Sequence, residues 1–228
     1  MSARRRRVAA LAFSLLVAAT AAQAVDIGRV ERVVVWGYGT PPGAGTRDLF
    51  ERAPVVESET VETPRDGAVH LRFDDQTQFR VGSESKAKLD RFVYDPQRGT
   101  GEMTLELSKG VFRFVSGRMQ KQGYLIVTPT ATIGIRGTDI LIEVFANGDT
   151  IVTVLEGELL MNNRDTAQNA VVREEEQGFT RGGQAGVTVQ RKPRLQRVVP
   201  ETLETGGGRG GVDGRGGDAA GGGGGRGQ

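Results

Sequence analysis

The chain has 228 residues, of which 34 are glycine, one is histidine and none is cysteine, and its formal net charge is +2. Without cysteine it can form neither disulfides nor C-x-x-C metal sites, and one histidine leaves no pair for a zinc site and no Cys–His dyad. We therefore expect no catalytic residue, no cofactor and no metal site.

Residues 1–24 have the pattern of a secretory signal peptide. Arg4 to Arg7 form a positive start, an apolar run follows, and Ala22-Gln23-Ala24 fits an A-x-A cleavage site. The apolar run is shorter than the roughly 20 residues that span a bilayer, so we expect cleavage and no transmembrane segment afterwards. The pattern predicts a periplasmic or secreted protein.

Removal of this segment changes the sign of the charge. Arg4 to Arg7 are four of the 30 basic residues, so the mature chain keeps 26 against 28 acidic residues, a formal charge of −2. A basic footprint for nucleic acid is then missing, and no nucleic-acid partner is expected.

Residues 25–200 are predicted to be all-β. Period-2 alternation recurs, as in Val69–Phe73 and Thr77–Val81, with Asp74-Asp75-Gln76 as the turn between them. In this pattern His70 is expected to be an exposed strand residue. Asn147-Gly148 predicts a type I′ hairpin turn, since both residues tolerate a positive φ. Helix is expected only in short pieces, such as residues 163–171.

Two weakly similar stretches favour a β-solenoid-like stack of short strands over a β-sandwich. "LRFDDQTQFRVGS" and "IEVFANGDTIVTVLEG" both run strand, turn, Thr, strand, Gly. The tail differs, because 14 of the 23 residues from Gly206 to Gln228 are glycine. It is predicted to be disordered, since it has almost no apolar surface to bury.

Two clusters are candidates for a contact surface. Trp36 and Tyr38 lie beside a Gly/Pro-rich loop, where they would either contact a partner or plug one end of the β stack, and the plug is the preferred interpretation. The basic residues Arg191, Lys192 and Arg194 would dock acidic polymers or lipid headgroups, or belong to a solvated linker.

A specific motif runs through "GVFRFVSGRMQKQGYLIVTPTATIGIRGTDILIEV" and "GDTIVTVLEGEL". Its residues are Thr128, Pro129, Ile133, Gly134, Ile135, Arg136, Gly137, Thr138 and Gly157. On this motif, the stretch from residue 60 to 162 resembles the FecR domain family. Pro129 fixes an extended entry, Ile133 and Ile135 alternate toward one core, and Gly137 permits a positive φ. We expect these residues to specify the fold, with Arg136 and Asp139 pairing across the turn or with neighbouring loops.

The resemblance implies a β-solenoid-like domain outside the cytoplasm that binds other proteins. In full regulators of this family, a cytoplasmic anti-sigma region and one membrane span precede it, and a domain that meets an outer-membrane transporter follows. The expected cleavable signal departs from that plan. Hence we expect a free-standing, non-enzymatic periplasmic module that binds a protein or envelope polymer, with a role in cell-surface signalling. A glycan- or peptidoglycan-binding envelope protein is the alternative, in which Trp36 and Tyr38 would stack on sugars.

Overall fold

Residues 25–191 are described by the structure, a computed structural model, and they form an all-β body, as predicted. Within this range the one helical element is a 3-10 turn, Lys121–Gly123. The predicted signal peptide, residues 1–24, and the predicted disordered tail, residues 206–228, lie outside the described residues.

Seventeen strands make up the described part of the chain. In chain order they are β1 Asp26–Val34, β2 Tyr38–Thr40, β3 Arg47–Asp48, β4 Pro54–Val56, β5 Glu59–Glu62, β6 Ala68–Phe73, β7 Gln78–Val81, β8 Lys86–Asp95, β9 Thr100–Val115, β10 Tyr124–Val127, β11 Ala131–Ile135, β12 Asp139–Val144, β13 Thr150–Glu156, β14 Glu158–Asn163, β15 Asn169–Arg173, β16 Glu176–Thr180 and β17 Thr188–Arg191.

The strands form two open layers that share β9. Layer A has the order β4-β1-β6-β7-β9-β12-β13-β16-β17. Layer B has the order β3-β2-β5-β8-β9-β10-β11-β14-β15. All neighbours are antiparallel except β9 and β10, which are parallel. Among residues 25–191 neither layer closes, so each layer ends in strands that pair on one side only.

Strand β9 passes from layer B to layer A at Gly110. Its first part pairs with β8, while residues 110–115 pair with β12 in layer A. Gly110 has φ +112°, and a Cβ there would overlap Ser85, whose hydroxyl accepts a hydrogen bond from the Val111 amide (3.0 Å). The crossing therefore requires glycine, because a side chain would meet both a disfavoured φ and Ser85.

One hydrophobic core lies between the layers. Alternate residues of each strand point into it, and Phe73, Phe79, Phe112 and Phe114 are all at most 1% exposed. Phe73 of layer A stacks on Phe92 of layer B with ring centroids 5.5 Å apart. Burial of these rings, together with that of the aliphatic core residues, drives the layers together, at about 25 cal/mol per Å² of apolar surface.

The two weakly similar stretches occupy related places. They form the hairpins β6–β7 and β12–β13, which lie in layer A on either side of β9. From β5 onward the chain alternates between the layers, hairpin by hairpin. The solenoid-like stacking inferred from the repeat stays a prediction.

The turn at Asn147-Gly148 is not type I′. The Phe145 amide donates to the Asp149 carbonyl and the Gly148 amide donates to the Phe145 carbonyl, both at 2.9 Å. Only Gly148 has a positive φ, +87°. This is a three-residue loop with a glycine bulge, favoured because the Asn147 side chain accepts a hydrogen bond from the Asp149 amide (3.1 Å).

Residues 163–171 are not helical. The Asn163 side chain accepts hydrogen bonds from the amides of Asp165 (2.9 Å) and Thr166 (3.1 Å), which makes a tight turn. Its amide group also donates to the carbonyls of Gln184 and Gly186, both at 3.0 Å. These bonds hold the β14–β15 turn, so the helix predicted there was wrong.

His70 is buried, not exposed as predicted, with 5% of its surface accessible. It points away from the core, but β6 is an inner strand in which His70 lies opposite Arg32 of β1 and Arg80 of β7. Burial, with Arg113 as the next cause, lowers the pKa of the equally hidden Arg80. Period-2 patterning identifies the side of a strand but not how well that side is covered.

Candidate functional site

The Thr-Pro turn of the family motif lies at a buried threonine cluster that joins the two layers. Thr128, Thr130, Thr150 and Thr180 are each at most 5% exposed. Thr150 donates its hydroxyl proton to Thr128 (2.9 Å), and the hydroxyls of Thr130 and Thr180 lie 2.9 Å apart. Pro129 sits against the Gly148 turn, where a Cβ on Gly148 would lie 3.1 Å from the proline ring. These groups satisfy one another, leaving no free hydroxyl aimed at a ligand.

Two of the three motif glycines, Gly137 and Gly157, meet at the crossings between layers. Gly137 follows β11 with φ +73°, and Gly157 joins β13 to β14 with φ +85°. A Cβ on Gly157 would overlap the Gly137 carbonyl, whereas one on Gly137 would meet only the flexible Lys121 side chain, at 3.2 Å. The close backbone approach makes Gly157 the more restrictive of the two positions.

Ile133 and Ile135 are at most 1% exposed, while Gly134 between them faces the other side of β11.

The two charged residues at the motif turn, Arg136 and Asp139, do not pair with each other. Asp139 binds Arg113 through two hydrogen bonds of 2.9 and 2.6 Å, and Arg136 lies 3.6 Å from Glu158 at the surface. Thr138 is buried beside them, and its backbone exchanges hydrogen bonds with Ser116. The motif thus contributes to core and turns.

A buried polar network that sequence reasoning missed ties the β6–β7 turn to the β9–β10 connection. The carboxylate of Asp75, which is 0% exposed, accepts hydrogen bonds from the hydroxyls of Tyr124 and Thr77, both at 2.7 Å. The Tyr124 oxygen in turn accepts from the amides of Gly117 and Met119, both at 3.1 Å. Burial raises the pKa of Tyr124 well above its usual value. The one local signal was the Asp-x-Thr turn; its partner Tyr124 is distant in sequence.

Trp36 lies at the surface. Its side chain is 56% exposed, in the connection from β1 to β2, and the preceding Val35 is 60% exposed with φ +59°. Phe50, after β3, is 65% exposed. Tyr38 is half-buried in β2. The exposure of Trp36 favours the contact-surface interpretation over the preferred plug, and contact with a partner stays a prediction.

Of the basic cluster, only Arg191 belongs to the described residues. It ends the edge strand β17 and lies 3.7 Å from Glu175, with 82% of its side chain exposed. Lys192 and Arg194 lie outside the described residues. An open cleft of about 300 Å³ lies beside this strand, lined by polar groups and by Phe179.

A second open cleft, of about 490 Å³, lies between the start of β1 and the end of β8. Its apolar lining comes from Val25, Ile27, Phe92, Val93, Tyr94 and Pro96, and its charged lining comes from Asp26, Glu57 and Asp74. Among residues 25–191, no group of three or more potential metal ligands is assembled. No helix in that range has the length and apolar character needed to cross a membrane.

Comparison with known proteins finds a family model and solved structures that match the chain. Two of these structures are crystal structures of a proposed anti-sigma factor from Parabacteroides distasonis, matched with 12% and 11% identity and TM-scores of 0.46 and 0.47. Each match covers 58% of this chain and 59% of the other, less than two thirds of that protein's length. No curated protein matches the sequence. Residues 59–160 match the family model described as FecR protein, which confirms the resemblance carried by the Thr-Pro to Gly-Thr motif.

Proposed function

We propose that this protein is an exported, non-enzymatic FecR-domain module that binds a protein partner in the periplasm as part of cell-surface signalling. The observation that carries the proposal is the exposure of Trp36, the single tryptophan of the chain, on the connection from β1 in layer A to β2 in layer B. A large aromatic group presented by a rigid scaffold is the usual anchor of a protein interface. Val35 beside it, also more than half exposed, enlarges the apolar patch.

The non-enzymatic part rests on chemistry. The conspicuous buried carboxylate, Asp75, is saturated by hydroxyl and amide donors inside the fold. Polar residues of the family motif have partners elsewhere in the fold: Thr128 accepts a hydrogen bond from Thr150, and Arg136 lies beside Glu158. A general acid or base has to reach a substrate proton, and neither group is placed to do so.

The signalling part rests on the FecR domain, whose family is regulatory. The export part rests on the signal-peptide pattern of residues 1–24. Together they favour a module that relays the state of an envelope transporter to a separate membrane partner. A deletion strain should then lose the transcriptional response to that transporter's ligand, whereas an unchanged response would exclude the relay.

Site-specific crosslinking in cells tests the binding surface. A photoreactive phenylalanine analogue replaces Trp36 in one strain and, as a matched control, Phe145 in another. Phe145 is 41% exposed on the β12–β13 turn, and β12 is four strands away from β1 in layer A. We expect a light-dependent adduct with one protein from position 36 and none from position 145. No adduct from position 36, or the same adducts from both positions, would contradict the proposed surface.

Glycan binding is a second candidate, favoured by the same observation, because an exposed tryptophan also stacks on sugar rings. Isothermal titration with soluble peptidoglycan fragments separates the two. Heat of binding that disappears in Trp36→Ala would favour the glycan, and no heat would remove it.

A further inference from the structure

The cleft beside β8 has an open strand edge along one wall. Strand β5 pairs with β8 only over Lys86–Leu89, whereas β9 pairs with β8 as far as Asp95. In the described part of the chain, no strand therefore pairs with residues 92–95 of β8 on the side away from β9. The Phe92 amide on that side is taken by the Glu57 side chain, at 3.3 Å. By the two-residue period of a strand, the Tyr94 amide points the same way.

The cleft is apolar at its centre. Val93 is 51% exposed and Val25 is 64% exposed, and Phe92 is backed by Phe73 on one side and by Tyr94, with ring centroids 6.4 Å apart, on the other. The packed rings give the cleft a rigid floor. Its volume, about 490 Å³, falls in the range of pockets that hold a ligand.

The charge of the cleft has one sign. Asp26, Glu57 and Asp74 line it, and no lysine, arginine or histidine does. None of the ion pairs formed within residues 25–191 includes these three carboxylates. Cleavage after Ala24 would add one ammonium group at Val25, which still leaves the cleft negative. A negative apolar cleft favours a partner that brings both apolar groups and cations.

We propose that this cleft binds an extended, basic and apolar peptide segment of the partner protein by strand addition to residues 92–95 of β8. The partner's backbone pairs with the open edge, an apolar side chain enters between Val25 and Val93, and flanking lysines or arginines meet the carboxylates. This inference rests on the proposed protein-binding function and names the chemistry of the segment recognised.

The test is an NMR titration of the ¹⁵N-labelled Val25–Gln228 form with two synthetic pentapeptides, acetyl-Lys-Val-Phe-Val-Lys-amide and acetyl-Glu-Val-Phe-Val-Glu-amide. We expect the basic peptide to bind at least fivefold more tightly and to shift the amides of Val25 and of residues 92–95. Equal affinity of the two peptides, no binding, or shifts centred on Trp36 would overturn the proposal.

Variants separate the contributions. Val93→Arg should weaken the basic peptide about tenfold, whereas the control Val171→Arg, at an exposed valine of the edge strand β15, should change it by less than twofold. Glu57→Gln with Asp74→Asn should remove the preference between the peptides while leaving binding itself, because the side-chain oxygen of the introduced glutamine still accepts the hydrogen bond from the Phe92 amide. A preference that survives both neutral substitutions would contradict the electrostatic part.

Tyr94→Pro addresses the backbone, and its matched control is Tyr94→Ala, which loses the same ring, keeps the amide and should still bind the basic peptide. The proline substitution removes an amide that faces the open side, so the ladder with β9 keeps its hydrogen bonds and an edge strand tolerates the proline. Circular dichroism checks that the proline variant folds, and the folded variant should bind neither peptide. If Val93→Arg changes neither the adduct from position 36 nor peptide binding, this cleft is not the peptide-binding site. The proposed function still stands in that case.

Discussion

Replacing Tyr124 with phenylalanine tests the buried network that joins the β6–β7 turn to the β9–β10 connection. The substitution removes the hydroxyl that donates to Asp75 at 2.7 Å and that accepts from the Met119 amide at 3.1 Å. A buried hydrogen bond to a charged group contributes about 1.5–3 kcal/mol, and an amide left without its acceptor costs about 1 kcal/mol more. We therefore expect a loss of about 3 kcal/mol in the free energy of unfolding.

Urea unfolding of the Val25–Gln228 form, followed by far-UV circular dichroism, measures this loss. For a domain of this size the melting temperature should fall by roughly 6–12 °C. Tyr94→Phe is the matched control, because Tyr94 is half-exposed and lies at the surface of β8, and we expect its unfolding free energy to stay within about 0.5 kcal/mol. A loss below about 1 kcal/mol for Tyr124→Phe would refute the reasoning that Asp75 depends on this hydroxyl.

Three further predictions concern the Gly157 turn, the ionisation of Tyr124 and the glycine-rich tail. Gly157→Ala should lower the unfolding free energy by at least about 2 kcal/mol, because alanine disfavours the positive φ and its Cβ would overlap the Gly137 carbonyl. Gly134→Ala, measured by the same urea titration, should be nearly neutral. Alkaline titration of tyrosinate absorbance should show Tyr124 ionising only as the protein unfolds. Its pKa is raised on folding, so the stability it contributes is full below about pH 10 and is lost as the pH rises further, and this late step should be absent in Tyr124→Phe. Deleting residues 206–228 should leave the melting temperature within about 1 °C, since a glycine-rich tail has little apolar surface to bury, and a larger fall would contradict its predicted disorder.

Local patterning was enough to predict most strands and the family. The alternation of apolar residues at Val69–Phe73 and at Ile133–Ile135 predicts a strand at each place. It also predicts which side chains face the core, because the same two-residue period determines both. The glycines at 137 and 157 could be recognised for the same local reason, since a turn with positive φ leaves a signature in one residue. These features depend on neighbours in the chain.

The remaining features depend on which strands meet. The burial of His70 follows from β1 and β7 lying on both sides of β6, and β1 begins more than 40 residues upstream. The Asp75–Tyr124 bond joins residues 49 positions apart. The acidic cleft likewise combines residues 25–27, 57, 74, 92–94 and 96. No single segment contains such information, so the exposed strand edge and the unpaired carboxylates appear only once the layers are assembled.

The most direct test of the proposed function uses the fluorescence of Trp36, which is the only tryptophan of the chain and so reports on its surface alone. The protein captured by crosslinking would be purified, in a form free of tryptophan, and titrated into the Val25–Gln228 form. We expect the emission of Trp36 to shift to shorter wavelength and saturate at one partner per chain, as the exposed indole leaves water. Binding that is detected by calorimetry while the emission stays unchanged would contradict the claim that this surface is where the partner docks.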